Sequence, residues 1–346
     1  MVYRAAKVNT TGYLAMNDMS LGGKAVRRRS RGNITDALQT IGLTTLLILC
    51  MLSAGCSSFN YIQPDSPTPL TVVPPLDPRP KVALVLGSGG PRGYAHIGVM
   101  KVLEDAGIDF DLVVGSSVGS LIGAFWASGY SVPEIDDLSR QGGPLTLFDF
   151  SVFADRGWIH GQRLQDFVNS RLSARQIESM PRRFIAVATR IKDKQPVFFS
   201  SGNAGVAVRA SSAVHKIFSP VGIQGIEYED GDESLPVAVR AARQAGATFV
   251  IAVDVTARTG TAPANTSASR LEREAKRRTR IDPELIDADF VIHPEMSFNS
   301  WPTDTFFSHA RQSGERSAAN LLDELRAAMR AKGIEKNSEP FLTEGF

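Results

Sequence analysis

Gly115-Ser116-Ser117-Val118-Gly119 closes an apolar run, Phe110-Asp111-Leu112-Val113-Val114, and opens a second run of apolar and small residues. Strand, tight turn, helix is the context in which a G-x-S-x-G pattern makes a nucleophile elbow. Its glycines let the backbone turn sharply, so the serine oxygen stands clear at the carboxyl edge of a sheet. Ser117 is therefore the candidate nucleophile, and Gly115 and Gly119 shape its turn; a plain strand-to-helix connection is the competing reading. Earlier in the chain Val82-Ala83-Leu84-Val85-Leu86 runs straight into Gly87-Ser88-Gly89-Gly90-Pro91-Arg92-Gly93. A glycine-rich turn at a helix start offers backbone N–H groups and the positive end of the helix dipole to an anion. A bound phosphate fits, and so does the oxyanion of an acyl-transfer intermediate. The dinucleotide pattern G-x-G-x-x-G fails, because the sixth residue from Gly87 is Arg92, and the G-K-[ST] that ends a P-loop is absent. An oxyanion loop beside an elbow remains.

Both turns need a sheet to hold them. Val82–Leu86, Phe184–Ala188, Phe249–Val253 and Phe290–Ile292 are short, fully apolar runs of the kind buried on both faces of a parallel sheet. Helical patterns alternate with them: Tyr94–Ala106, Ser117–Ala127, and a C-terminal helix carrying Leu321, Leu322, Leu325 and Met329. The alternation predicts one α/β domain over residues 81–332, in three layers with a mainly parallel central sheet and its site at the strands' carboxyl ends, followed by a tail over 333–346.

The chain has 346 residues, is 43% hydrophobic and carries a net charge of +2, which suits a well-cored globular protein and does not point to nucleic acid. Lys24, Arg27, Arg28, Arg29 and Arg31 precede a stretch without charge from Ala37 to Ser53, the order of a secretory signal. It ends in Leu52-Ser53-Ala54-Gly55-Cys56, which resembles the bacterial lipobox. That resemblance implies a signal peptide over 1–55, lipid on Cys56, membrane attachment through it, and a periplasm-facing place on the outer membrane; an uncleaved anchor and a plain signal peptide are the alternatives. Cys50 and Cys56 are the only cysteines, so the body has no disulfide and no thiolate metal site. Residues 56–80 read as an extended tether, with Pro64, Pro67, Pro69, Pro74, Pro75, Pro78 and Pro80.

Taken together, the motifs resemble the patatin-like phospholipase family. Its Gly-Gly-Gly-x-Arg-Gly loop aligns with Ser88-Gly89-Gly90-Pro91-Arg92-Gly93, with serine in the first glycine's place, and its elbow matches fully at Gly115–Gly119. Its Asp-Gly-[Gly/Ala] motif appears as Asp230-Gly231-Asp232, a departure at the last position, and Ala210–Pro220 is similar to the segment that precedes the family's catalytic aspartate. The resemblance implies a Ser117–Asp230 dyad. Asp230 would take the proton as Ser117 attacks an ester carbonyl, amides around Ser88, Gly89 and Gly90 would hold the oxyanion, and Arg92 would brace the loop or meet a substrate phosphate. No cofactor and no metal are implied, and the partner is a phospholipid or lysophospholipid substrate.

Other readings compete. Glu229, Asp230, Asp232 and Glu233 put four carboxylates within five residues; mutual repulsion favours protonation, and either aspartate flanking Gly231 could serve as base, Asp230 being preferred because it precedes the glycine. The cluster lacks the spacing of a calcium loop. A triad in the order Ser117, Asp230 or Asp254, then His293 or His309 is the rival to the dyad. Arg270, Arg273, Lys276, Arg277, Arg278 and Arg280 form a basic helical run, either a solvated face or a meeting place for anionic headgroups. Leu145, Leu147, Phe148, Phe150, Val152 and Phe153 form an apolar segment that fits an acyl pocket or ordinary core. Beside the hydrolase stand an inactive lipid-binding lipoprotein and a general esterase or thioesterase.

Overall fold

The structure, a computed structural model, describes residues 60–141 and 144–334. The expected signal peptide, Cys56 and all of the expected tail except its first two residues lie outside the described residues. Two short strands, β1 (Asn60–Tyr61) and β2 (Pro69–Leu70), precede β3 (Val82–Leu86), α1 (Tyr94–Asp105), β4 (Leu112–Ser116) and α2 (Val118–Ala127). Then come α3 (Val132–Arg140), α4 (Gln162–Arg171), the long β5 (Arg183–Arg190), β6 (Gln195–Phe199) and α5 (Ala204–Ser211). The chain continues through β7 (Val221–Ile223), β8 (Ile226–Asp230), α6 (Val239–Gln244), β9 (Phe249–Val253) and α7 (Ala268–Ile286), and ends with β10 (Phe290–Ile292), α8 (Asp304–Asn320) and α9 (Leu322–Ala331).

The sheet runs β1-β7-β8-β5-β4-β3-β9-β10. From β5 to β10 every neighbour is parallel, as the apolar strand runs and intervening helices require. Along β3 the side chains alternate: Val82, Leu84 and Leu86 pack with α1, α2 and α5, and Ala83 and Val85 pack against α6 and Ile281 of α7. Helices on both faces complete the three-layer α/β domain. The part that apolar runs do not reveal is antiparallel: β6 and β8 both run against β5, and β7 against β8.

The proline-rich stretch differs from the expected free spacer. From Asn60 onward it belongs to the domain, with β1 pairing to β7 and β2 pairing to β6. The hydroxyl of Tyr61 accepts a hydrogen bond from the buried Arg209 at 2.6 Å, and Val73 is fully buried, with Leu70 and Leu76 packed against the same cluster. Prolines lack an N–H and so tolerate edge positions in a sheet, while the aliphatic residues between them drive the docking. The folded body therefore begins by residue 60, not 81.

Candidate active site

Strand register brings the reacting groups together. Val187 of β5 pairs with Ser116 at the end of β4, and the next residue, Ala188, pairs with Asp230 at the end of β8. Because β6 occupies the other edge of β5, β4 and β8 meet end to end on one edge, each pointing its carboxyl terminus at the other. Ser117 follows one strand and Asp230 terminates the other, and the Ser117 hydroxyl donates to Asp230 Oδ2 at 2.7 Å. Such close abutment leaves no room for side chains at the turns. A β-carbon on Gly119 would sit 2.1 Å from the Leu86 carbonyl oxygen, and one on Gly231 would sit 2.4 Å from both Ser116 Oγ and Val187 O. Gly115 is equally tight, its missing β-carbon falling 2.4 Å from the Gly119 carbonyl oxygen.

Ser117 has φ +55° and ψ −123°, a strained conformation for a residue with a side chain and the one expected of an elbow. It persists because its surroundings fix it. The Ser117 N–H donates to Ser211 Oγ at 2.9 Å, Ser211 Oγ donates to the Val187 carbonyl, and Ser120 Oγ donates to the Ser117 carbonyl at 2.7 Å. The Asp230 N–H donates to the Ala213 carbonyl at 3.0 Å, so the end of α5 and the residues just after it support nucleophile and carboxylate together.

Asp230 is almost wholly buried, and burial, reinforced by the charge of Asp232, pushes its carboxyl up to about 7. The Asp232 N–H on Oδ1 at 2.8 Å, the Ser117 hydroxyl and the Arg277 charge oppose that rise. A carboxyl poised near neutrality can both take and return a proton.

Of the neighbouring carboxylates, Asp230 and Asp232 repel one another as the crowding implies, while Glu229 and Asp232 are each held by a separate cation. Glu229 faces away from the site and pairs with Lys194 and with His215 Nδ1 at 2.9 Å. Asp232 accepts from Ser88 Oγ and from Arg277 Nε at 2.7 Å, and Arg277 Nη2 also donates to Ser88 Oγ at 3.0 Å. The two departures from the family pattern, Ser88 and Asp232, thus touch each other and share one arginine. Arg277 lies on the inward side of α7, where the sequence offered only a basic run; it and Ser211 are the supporting residues that motif reading missed.

In the glycine-rich loop the Ser88 N–H is committed to the Pro236 carbonyl at 2.9 Å and the Arg92 N–H to the Gly89 carbonyl at 3.2 Å. Ser88 thus acts through its hydroxyl, and the amides of Gly89 and Gly90 have no acceptor among the described residues. The Arg92 guanidinium is buried against the Phe298 carbonyl, which makes it a brace between the loop and the segment before α8. Gly90, Ser117 and Val118 open onto a cavity of about 230 Å³ whose walls are almost all apolar, among them Ile97, Leu121, Phe125, Phe148 and Phe218. Of the expected apolar segment, Leu147 and Phe148 line this cavity, Phe150, Val152 and Phe153 are exposed, and the side chain of Leu145 lies outside the described residues.

The rival triad is not assembled. His293 Nδ1 lies 3.2 Å from Asp254, beyond β9 and β10, while the Ser117 hydroxyl is given to Asp230; His309 is exposed on α8. His96 is buried beneath the loop with Nε2 2.7 Å from the Gly87 carbonyl, and burial pushes it down to about 4, so it is neutral and donates to that carbonyl. Among the described residues no three His, Cys, Asp or Glu side chains form a metal-binding group, and no helix is long and apolar enough to cross a membrane.

Residues 84–239 match the family model described as patatin-like phospholipase. An uncharacterized NTE family protein of Mycobacterium tuberculosis is 34% identical over 183 residues, 51% of this chain and 49% of that protein. A lysophospholipase of Aspergillus fumigatus is 32% identical over 179 residues, 50% of this chain and 12% of that protein. The chain thus spans about half the length of the mycobacterial relative and a small part of the fungal one. The solved structure of VipD from Legionella pneumophila aligns with a TM-score of 0.47 at 13% identity, over 70% of this chain and 66% of that one. The loop, the elbow and Asp230-Gly231 all fall inside the residues that match the patatin-like phospholipase model.

Proposed function

We propose that the protein is a lipid acyl hydrolase that cleaves the acyl ester of a phospholipid or lysophospholipid through Ser117 and Asp230. The observation that carries this reading is the 2.7 Å hydrogen bond from Ser117 Oγ to a buried Asp230 at the mouth of an apolar cavity. An acyl chain lying in the cavity brings its ester carbonyl to Ser117. Ser117 Oγ attacks the carbonyl carbon as its proton passes to Asp230 Oδ2, and the oxyanion forms against the Gly89 and Gly90 amides. Collapse of the intermediate breaks the ester C–O bond, and the alcohol oxygen leaves with the proton from Asp230. Water then attacks the acyl-enzyme, again losing a proton to Asp230, and the fatty acid departs as Ser117 is restored. The named activity of the fungal relative supports a lysophospholipid as substrate. The pairing of Asp232 with Arg277 and Ser88 supports reading the changed motif as part of a working site. Lipid on Cys56 and a periplasm-facing, outer-membrane location form part of the same proposal.

The test is fatty-acid release from lysophosphatidylcholine micelles by the full chain and by Ser117→Ala. Release that disappears in the variant is expected. Release that survives it, or no release by the wild type from micelles and phospholipid vesicles alike, overturns the reading.

A further inference from the structure

The rim of the acyl cavity carries a bare apolar surface. Phe150, Val152, Phe153 and Trp158 are 65%, 83%, 82% and 67% exposed, and Ile217 beside them is 47% exposed. The first four sit on one excursion between the lining residues Leu147 and Phe148 and the start of α4. Phe150 bridges Ile159, the Ser151 N–H donates to the Trp158 carbonyl at 2.9 Å, and the Trp158 and Ile159 N–H groups both donate to the Ile217 carbonyl, at 2.8 and 3.0 Å. The inner side chains of these segments, Phe148 and Phe218, line the cavity with their rings 5.6 Å apart, so its wall and the bare surface are two faces of the same structure. Trp301, 65% exposed, adjoins another lining residue, Pro302. Isolated exposed apolar residues are ordinary on any protein, but a cluster continuous with a binding cavity marks an interaction site.

The charges identify the occupant. Asp149 is spent on the N-terminus of α4, accepting from the Gly161, Gln162 and Arg163 N–H groups, and Asp155 is paired with Arg156 at 2.9 Å. No other acidic residue occurs in 146–163 or 214–219. Lys216, exposed and held at φ +64°, and Arg163 form no ion pair among the described residues. Large apolar side chains that include tryptophan, together with cations and no unpaired carboxylate, match an anionic lipid surface.

We propose that this excursion docks the protein onto a phospholipid bilayer and places the cavity mouth at the lipid surface, so that an acyl chain passes from membrane to Ser117 without crossing water. The proposal rests on the lipid-hydrolase reading for its purpose, and its test is independent of turnover. Full-length Ser117→Ala is mixed with phosphatidylcholine–phosphatidylglycerol vesicles carrying brominated acyl chains, and tryptophan fluorescence is recorded. Quenching is expected, and it should fall clearly in Ser117→Ala/Trp158→Phe, with Trp301 accounting for what remains. On the otherwise unaltered chain, Phe153→Ser/Trp158→Ser should lower hydrolysis of vesicle lipid about tenfold or more, while hydrolysis of a short soluble ester stays within about twofold. Unchanged vesicle hydrolysis in that variant, or no quenching, overturns the proposal. So does a concentration-dependent dimer that shields Trp158 while vesicles leave it unquenched, which would assign the surface to a second copy of the chain. Quenching by a wild-type chain that hydrolyses no lipid would overturn the hydrolase reading and leave the docking intact.

Discussion

Asp230 and Asp254 are the same residue in similar places, each buried at the carboxyl end of a strand beside the glycine-rich loop, and they behave in opposite ways. Asp230 faces a serine hydroxyl and a neighbouring carboxylate, and burial carries its carboxyl up to about 7. Asp254 also loses solvation. Against that loss it gains His293 at 3.2 Å, the Thr256 N–H and hydroxyl at 3.0 and 2.6 Å, and Arg278 at 2.5 Å, and together these hold it well below the usual carboxylate range. Burial alone therefore does not make a base; burial without a direct cation does. Asp230 is fitted to exchange protons, and Asp254 is fixed as an ionic strut between β9, β10 and α7.

The largest effect that follows is on turnover. Asp230→Asn and Ser117→Ala should each lower kcat on a soluble ester about a thousandfold or more, and Asp254→Asn should retain it within about threefold in the folded fraction. Stability should show the reverse. Arg278→Met leaves the Asp254 charge buried with less compensation and should cost about 3 kcal/mol in urea unfolding, with activity retained at temperatures where the chain stays folded.

Motifs made part of this contrast legible in the sequence. The elbow at Gly115–Gly119 is readable because close backbone approach forces glycine at fixed spacings, and Asp230 is readable because the tight pass by Ser116 and Val187 forces Gly231 after it. The parallel core followed from apolar runs that need cover on both faces. The electrostatics were not legible, because the cations that separate the crowded carboxylates come from Lys194 and Arg277, remote in the chain. The antiparallel flank and the docking of residues 60–80 were hidden for a related reason: their short strands are specified by what they pair with, and the prolines mask the aliphatic residues that hold them.

Arg277 provides the finer control. It neutralises Asp232 and lends positive charge to Asp230, so Arg277→Met should raise the Asp230 carboxyl further. The acidic limb of the pH–rate profile should move up by roughly one unit, costing about fivefold at pH 7 and recovering by pH 9. Asp232→Ala removes the opposing charge and should move the limb down instead. Movement of both limbs in one direction would contradict this assignment.

The smallest effect is thermal. The folded Asp230 holds its proton up to about pH 7, whereas an unfolded aspartate releases it near about 3.9. The folded state thus binds more protons across that window, and wild-type stability falls as pH rises through it. Asp230→Asn should melt a few degrees above wild type at pH 8, with the difference closing toward pH 4 in calorimetry.

The most direct measurement is the pH dependence of kcat/KM on a short soluble ester for the wild type, His293→Ala and Asp230→Asn. A rising limb centred near pH 7 in the first two, and loss of activity at every pH in the third, is the result the dyad requires. Loss of that limb in His293→Ala, with Asp230→Asn still active, would contradict it and return the histidine to the chemistry.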